Sequence, residues 1–135
     1  MEIGLSTTLH TSFEEAVQRT RAALAEQGFG VLTEIDMRAT LEAKLGEKME
    51  DYLILGACNP SLAHRAVGVD RRIGLLLPCN VVVRRDLDSD TAVVVEAMNP
   101  QVMVQVTEEQ ALEPVAEEAT ARLRAALESL DSGEN

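Results

Sequence analysis

The chain has 135 residues, 46% of them apolar, and a formal charge of −11. That length fits one domain able to remove about two thirds of its unfolded surface from water, and acidity on this scale repels a phosphate backbone, which excludes nucleic acid as a general partner. No apolar run reaches the ~18 residues of a membrane span, and Met1-Glu2-Ile3-Gly4-Leu5 lacks the basic opening of a signal peptide, so the reading is a cytosolic protein without a membrane partner whose thiols stay reduced.

In chain order, Ile3, Leu5, Thr7 and Leu9 alternate with polar neighbours, the period of a half-buried strand. Thr11-Ser12-Phe13-Glu14-Glu15 offers overlapping capping boxes for a helix whose apolar face is Phe13, Ala16, Val17, Thr20 and Leu24, with Gly28 as its stop. Phe29 to Met37 alternates again as a strand, and Met37, Leu41 and Leu45 then predict a short helix closed by Gly46. Tyr52 to Cys58 is apolar on both faces, which predicts a central strand. Asn59-Pro60 reads as a helix N-cap and first residue, because Pro lacks an N–H that would be unpaired there. Leu62, Ala63, Ala66 and Val67 form the buried face of that helix.

Leu75 to Arg85 predicts a long strand interrupted at Pro78, where no ladder hydrogen bond is available. Asp86 to Asp90 is a polar turn, and Thr91 to Met98 returns antiparallel. Asn99-Pro100 repeats the cap device before a short helix. Leu112, Val115, Ala116, Ala119, Leu123, Ala126, Leu127 and Leu130 form one long apolar stripe, with Pro114 near its start. The expected fold is α+β: a single, largely antiparallel sheet with two long helices on one face, in β-α-β(n)-α order with short extra helices. Residues 1–130 are read as one domain and 131–135 as a flexible tail.

Two Cys-Asn steps within apolar blocks, Gly56-Ala57-Cys58-Asn59-Pro60 and Leu77-Pro78-Cys79-Asn80-Val81, mark the candidate site. Cys58 precedes a helix N-terminus, whose free N–H groups and dipole favour negative charge, so it is the candidate nucleophile or redox thiol. Main-chain N–H groups of Ser61 and Leu62 would receive a polar or anionic group beside Asn59. Cys79 has the parity of Leu75, Leu77, Val81 and Val83, a core position, whereas Asn80 points the other way with Val82 and Arg84. The candidate ligand-binding set is therefore Cys58, Asn59, Ser61, Leu62, Cys79 and Asn80. Arg65, Arg71, Arg72, Arg84 and Arg85 make this stretch locally basic. Cys58, Cys79 and His64, with Met98 and Met103, are soft enough to hold copper(I) or zinc. They lack C-x-x-C or H-x₃-H spacing, and neither a metal nor a cofactor is expected. Phosphate loops, dinucleotide fingerprints and serine-hydrolase elbows are absent from the sequence.

The run Tyr52 to Pro60, followed by Gly74 to Val83, resembles the domain-of-unknown-function 302 family of small prokaryotic proteins. Ile35-Asp36, Lys44-Leu45-Gly46 and Met98-Asn99-Pro100 fit it too. The resemblance implies a TATA-binding-protein-like α+β fold and a homodimer; it brings no reaction. The functional expectation is a homodimeric domain binding a small polar or anionic ligand near Cys58/Asn59 and Cys79/Asn80. The alternatives are a thiol-dependent enzyme or redox protein using Cys58, and a purely structural dimerisation module.

Overall fold

The computed structural model describes residues 2–132. Its strands are β1 (Gly4–Leu9), β2 (Gly30–Asp36), β3 (Tyr52–Cys58), β4 (Cys79–Arg85) and β5 (Val93–Met98). They form one antiparallel sheet in the order β1-β5-β4-β3-β2. The helices are α1 (Phe13–Glu26), α2 (Met37–Leu45), α3 (Pro60–Val69), α4 (Gln101–Thr107) and α5 (Glu113–Ser132).

Local chemistry sets the helix starts. The Ser12 hydroxyl accepts from the Glu15 N–H at 3.1 Å, and the Asp36 carboxylate accepts from the Ala39 N–H at 2.9 Å. Both supply an acceptor to a donor the first turn would leave unpaired. All eight apolar residues of the stripe from Leu112 to Leu130 are buried. Pro114 falls in the first turn of α5, where its missing N–H costs nothing.

One sheet face is packed and the other is open. Leu5, Leu9, Leu53, Leu55, Ala57, Val81, Val83, Val93, Val95 and Ala97 bury against α1 and α5. The opposite face carries the cross-strand row Ile35, Ile54, Val82, Glu96, Ser6 and the row Tyr52, Arg84, Val94, Thr8. None of these nine side chains is fully buried. A second core lies beyond the end of the sheet, where Leu62 and Ala66 of α3 meet Ile73, Met103, Leu112, Val115 and Ala119.

The structure corrects one strand boundary and carries α5 through Ser132. The strand predicted from Leu75 begins only at Cys79, because Arg71–Leu76 form a 3₁₀ helix. The Asp70 carboxylate caps it by accepting from the Arg72 N–H at 2.9 Å, and Ile73 anchors it with full burial. Leu75 is left 86% exposed, and the Leu77-Pro78 peptide is cis. At the other end, residues 131 and 132 of the predicted tail belong to α5, held by buried Leu130 and by the Thr7 hydroxyl donating to Asp131 at 2.6 Å. The rest of that tail, 133–135, lies outside the described residues.

Candidate functional site

The two Cys-Asn blocks meet at the end of β3 and β4. Ala57 pairs with Cys79 across the ladder, and Cys58 is the last residue of β3 before α3 begins. A small void sits there beneath α3. Its walls include Cys58, Asn59 and Cys79 from the two blocks, Leu62, Ala63 and Ala66 from α3, and Met103 from α4. Phe29, Ala57, Leu77, Val115 and Ala119 line it as well. Its volume is about 20 Å³, about the room that a lone water needs.

Asn59 is held from two sides. Its side-chain carbonyl accepts from the Leu62 N–H at 3.3 Å, and its amide donates to the Gln27 carbonyl at 3.4 Å. Arg122 Nη1 donates to the same Gln27 carbonyl at 3.3 Å. Gly28, with φ of 85°, is what lets the chain end approach: a Cβ there would stand 3.0 Å from the Asn59 amide nitrogen. Asn59 thus ties the start of α3 to the end of α1.

The two sulfurs differ in setting. Cys58 is half-buried and Cys79 is buried. Burial pushes the Cys79 thiol up to about 11, and the nearby charge of Cys58 adds to the effect. Cys79 is therefore a protonated thiol at neutral pH and a poor nucleophile by itself. His10 and His64 are exposed and neither belongs to the pocket walls.

The remaining candidates lie elsewhere. Ser61 is exposed on the first turn of α3. Asn80 is exposed on the open sheet face, in a shallow depression with Ile3, Val82, Glu96 and Met98. Four of the five local arginines are engaged outside the pocket: Arg65 bonds Glu118, Arg72 bonds Asp70, Arg84 bonds Glu96, and Arg85 donates to the Asp90 carbonyl. Among the described residues, no three His, Cys, Asp or Glu side chains gather as a metal site. No described helix is long and apolar enough to cross a membrane. A larger cleft of about 490 Å³ runs between β1 and α5, lined by Glu2, Ser6, Arg124 and Glu128 among others. It shares no lining residue with the smaller void at Cys58 and Cys79.

Sequence reasoning did not single out Gly56. A Cβ there would run into the Thr33 hydroxyl and stand 2.8 Å from Pro78 Cγ. A glycine inside an apolar strand was the available signal, since it marks a close approach. Phe29, Val115 and Ala119 reach the pocket from distant segments and carry no local signature of it.

A family model described as domain of unknown function DUF302 matches residues 5–130. The chain belongs to that family. A solved DUF302 relative, described as an uncharacterized conserved protein from Bacillus stearothermophilus, superposes with a TM-score of 0.86 at 26% identity. The match covers 95% of this chain and 98% of that one. No curated protein matches. The DUF302 assignment thus establishes the family and agrees with the α+β architecture, while the site's role has to be argued from its chemistry.

Proposed function

We propose that this DUF302 chain works as a homodimer, with a second copy seated on the open sheet face. What carries the reading is the charge of that face. In a chain of −11, the two outward rows hold only Arg84 and Glu96 as ionised groups, bonded to each other at 3.2 Å. The face is neutral and is built around Ile35, Ile54, Val82 and Val94. Two like-charged copies approach at least cost where neither presents net charge. Five strands at ~4.8 Å spacing and about six residues at ~3.3 Å rise give a face of roughly 500 Å² before side-chain relief, approaching the ~800 Å² per partner of a standard interface. The rim adds Ile3, 81% exposed, and α2, which buries no residue and leaves Leu45 67% exposed.

Sedimentation of the purified chain tests this. The expected species has twice the 14.6 kDa chain mass, and Val82→Glu, whose side chain faces solvent in one copy, sediments as a folded monomer. A monomeric wild type, or a dimer unmoved by Val82→Glu, refutes the reading.

A second reading concerns the pocket beneath α3 as a ligand site, and it rests on the convergence of Cys58, Asn59, Leu62 and Cys79 on one void. The volume suits a guest of atomic size; a polar or anionic organic molecule would require α3 to move outward. Native mass spectrometry of untagged protein reads such a guest as added mass, which Ala63→Leu, by filling the void, removes. Equal masses for the two proteins overturn it. A thiol enzyme at Cys58 has less support, because the pocket walls offer no imidazole to take the thiol proton.

A further inference from the structure

We propose that the free edge of β1 captures an extended peptide as a sixth, antiparallel strand, and that the peptide it fits carries a basic residue followed two positions later by an apolar one. The main chain supplies the first observation. The Asn99 N–H donates to the Ile3 carbonyl at 2.9 Å, and Gly4 stands opposite Met98. Bonded and non-bonded pairs alternate along an antiparallel ladder. Ile3, Leu5, Thr7 and Leu9 therefore turn their N–H and C=O groups toward β5, while Gly4, Ser6 and Thr8 turn theirs outward in the plane of the sheet. β1 is the last strand of the sheet, so among the described residues no strand meets those outward groups.

The second observation is that this edge lacks the devices that keep strand edges unpaired. The opposite edge has them: β2 carries a register shift between Val31 and Thr33, and its Glu34 is ion-paired with Arg21. β1 runs in unbroken register through six residues, and Gly4-Leu5-Ser6-Thr7-Thr8-Leu9 holds neither a charge nor a proline.

The third is the chemistry beside the edge. A sixth strand would lie ~4.8 Å outside β1, in the cleft of about 490 Å³ between β1 and α5. Its alternate side chains point toward α5, on the side of Leu5 and Thr7. Opposite Leu5 the cleft holds Leu127, which suits an apolar residue. Opposite Thr7 stands Asp131, exposed, with its carboxylate accepting from the Thr7 hydroxyl at 2.6 Å. Glu128 lies on the preceding turn of α5, so a lysine or arginine there meets negative charge. The incoming strand runs opposite to β1, which puts the basic residue before the apolar one. Main-chain bonds supply affinity and the two side-chain positions supply selection. The outward groups lie in the sheet plane, so a second copy seated on the open face leaves them unpaired, and the proposal does not depend on that dimer.

The probe is a capped heptapeptide, Thr-Thr-Lys-Thr-Val-Thr-Thr, titrated into the full chain by isothermal calorimetry. The expected result is saturable binding of one peptide per chain. N-methylation of the central threonine, opposite Ser6, removes a bond to the edge and weakens binding about tenfold or more. N-methylation of the valine, whose nitrogen points away from β1, leaves binding as it was. Exchanging lysine for glutamate in the peptide weakens binding about tenfold, and Asp131→Asn, which keeps an acceptor for Thr7, weakens it about threefold. Ser6→Pro abolishes binding yet retains the ladder to β5, because the lost N–H faces the free edge. If Ser6→Pro loses its circular dichroism, the two N-methyl peptides decide on the unaltered chain. Absence of binding, equal affinity for the two N-methyl peptides, or tighter binding of the order Val-Thr-Lys overturns the proposal. A peptide that splits the homodimer in sedimentation also overturns it, since the edge then belongs to the contact between copies. A monomeric chain that binds the peptide removes the dimer and leaves this proposal standing.

Discussion

Replacing Asn59 by Ala isolates the joint between α1 and α3. The substitution removes the cap on the Leu62 N–H and the donor to the Gln27 carbonyl, at 3.3 and 3.4 Å. A lost N-cap costs about 1 kcal/mol. The second bond is long, and Gln27 keeps Arg122 as a partner, so its loss adds only about 0.5–1 kcal/mol. The sum, about 1.5–2 kcal/mol, corresponds to a fall in Tm of roughly 5–7 °C for a chain of this size. Asn59→Asp retains the acceptor and suits the helix dipole, but turns a carboxylate toward the Gln27 carbonyl, so its loss is smaller than that of Ala. Urea denaturation followed by circular dichroism reads both, with an unchanged m-value showing that the unfolded states are comparable. An Ala variant within ~0.5 kcal/mol of wild type, or an Asp variant worse than Ala, would refute the account of Asn59 as a two-sided tie.

Gly56→Ala drives a methyl group into Thr33 and Pro78 and should cost about 1–3 kcal/mol by overpacking. Thr33→Ala in the same chain recovers part of that loss, and additive losses in urea would count against the contact. Glu118 bonds Arg65 at 2.9 Å and Arg122 at 3.2 Å, and these guanidinium bonds, Arg65 first, hold its carboxyl below the ordinary 4.5. A depressed carboxyl stabilises the fold above its unfolded pKa and loses that contribution as the pH falls through the lower folded value. The urea midpoint of Glu118→Gln should therefore fall less steeply than wild type below pH 4.5; parallel acid profiles would show that the α3–α5 pair does not contribute.

The parts of this fold that were legible in the sequence are those where a local rule had no competitor. The α5 stripe reads as core because eight apolar residues recur at helical spacing, and each is buried. Asn59-Pro60 reads as a helix start because the capping oxygen and the missing N–H act within four residues. Asn80 and Cys79 separate onto opposite faces by the two-residue period alone. Where the local rules conflicted, the apolar run misled. Leu75-Leu76-Leu77 looks like strand, yet the Asp70 cap and the buried Ile73 draw Arg71–Leu76 into a tight helix. In α2 the Met37/Leu41/Leu45 stripe predicts the helix but not its packing, since no residue of it is buried in a single chain. The pocket was half legible. Both cysteine blocks were marked, but that they share one void with Met103 follows from how α3 and α4 close over the sheet end, which no local period encodes.

The connection from β1 through α1 to β2 has a consequence for biosynthesis. It joins the two outermost strands, and every strand between them comes from later in the chain. Among the described residues, β1 finds its one strand neighbour at Val93–Met98, with Gly4 opposite Met98. A nascent chain halted before residue 93 therefore holds an orphaned first strand whose partner has yet to be translated. Closing so long a loop is entropically costly and slow, so β1 must wait for the ribosome to deliver Val93–Met98, long after β2 has met its own neighbour at Tyr52–Cys58.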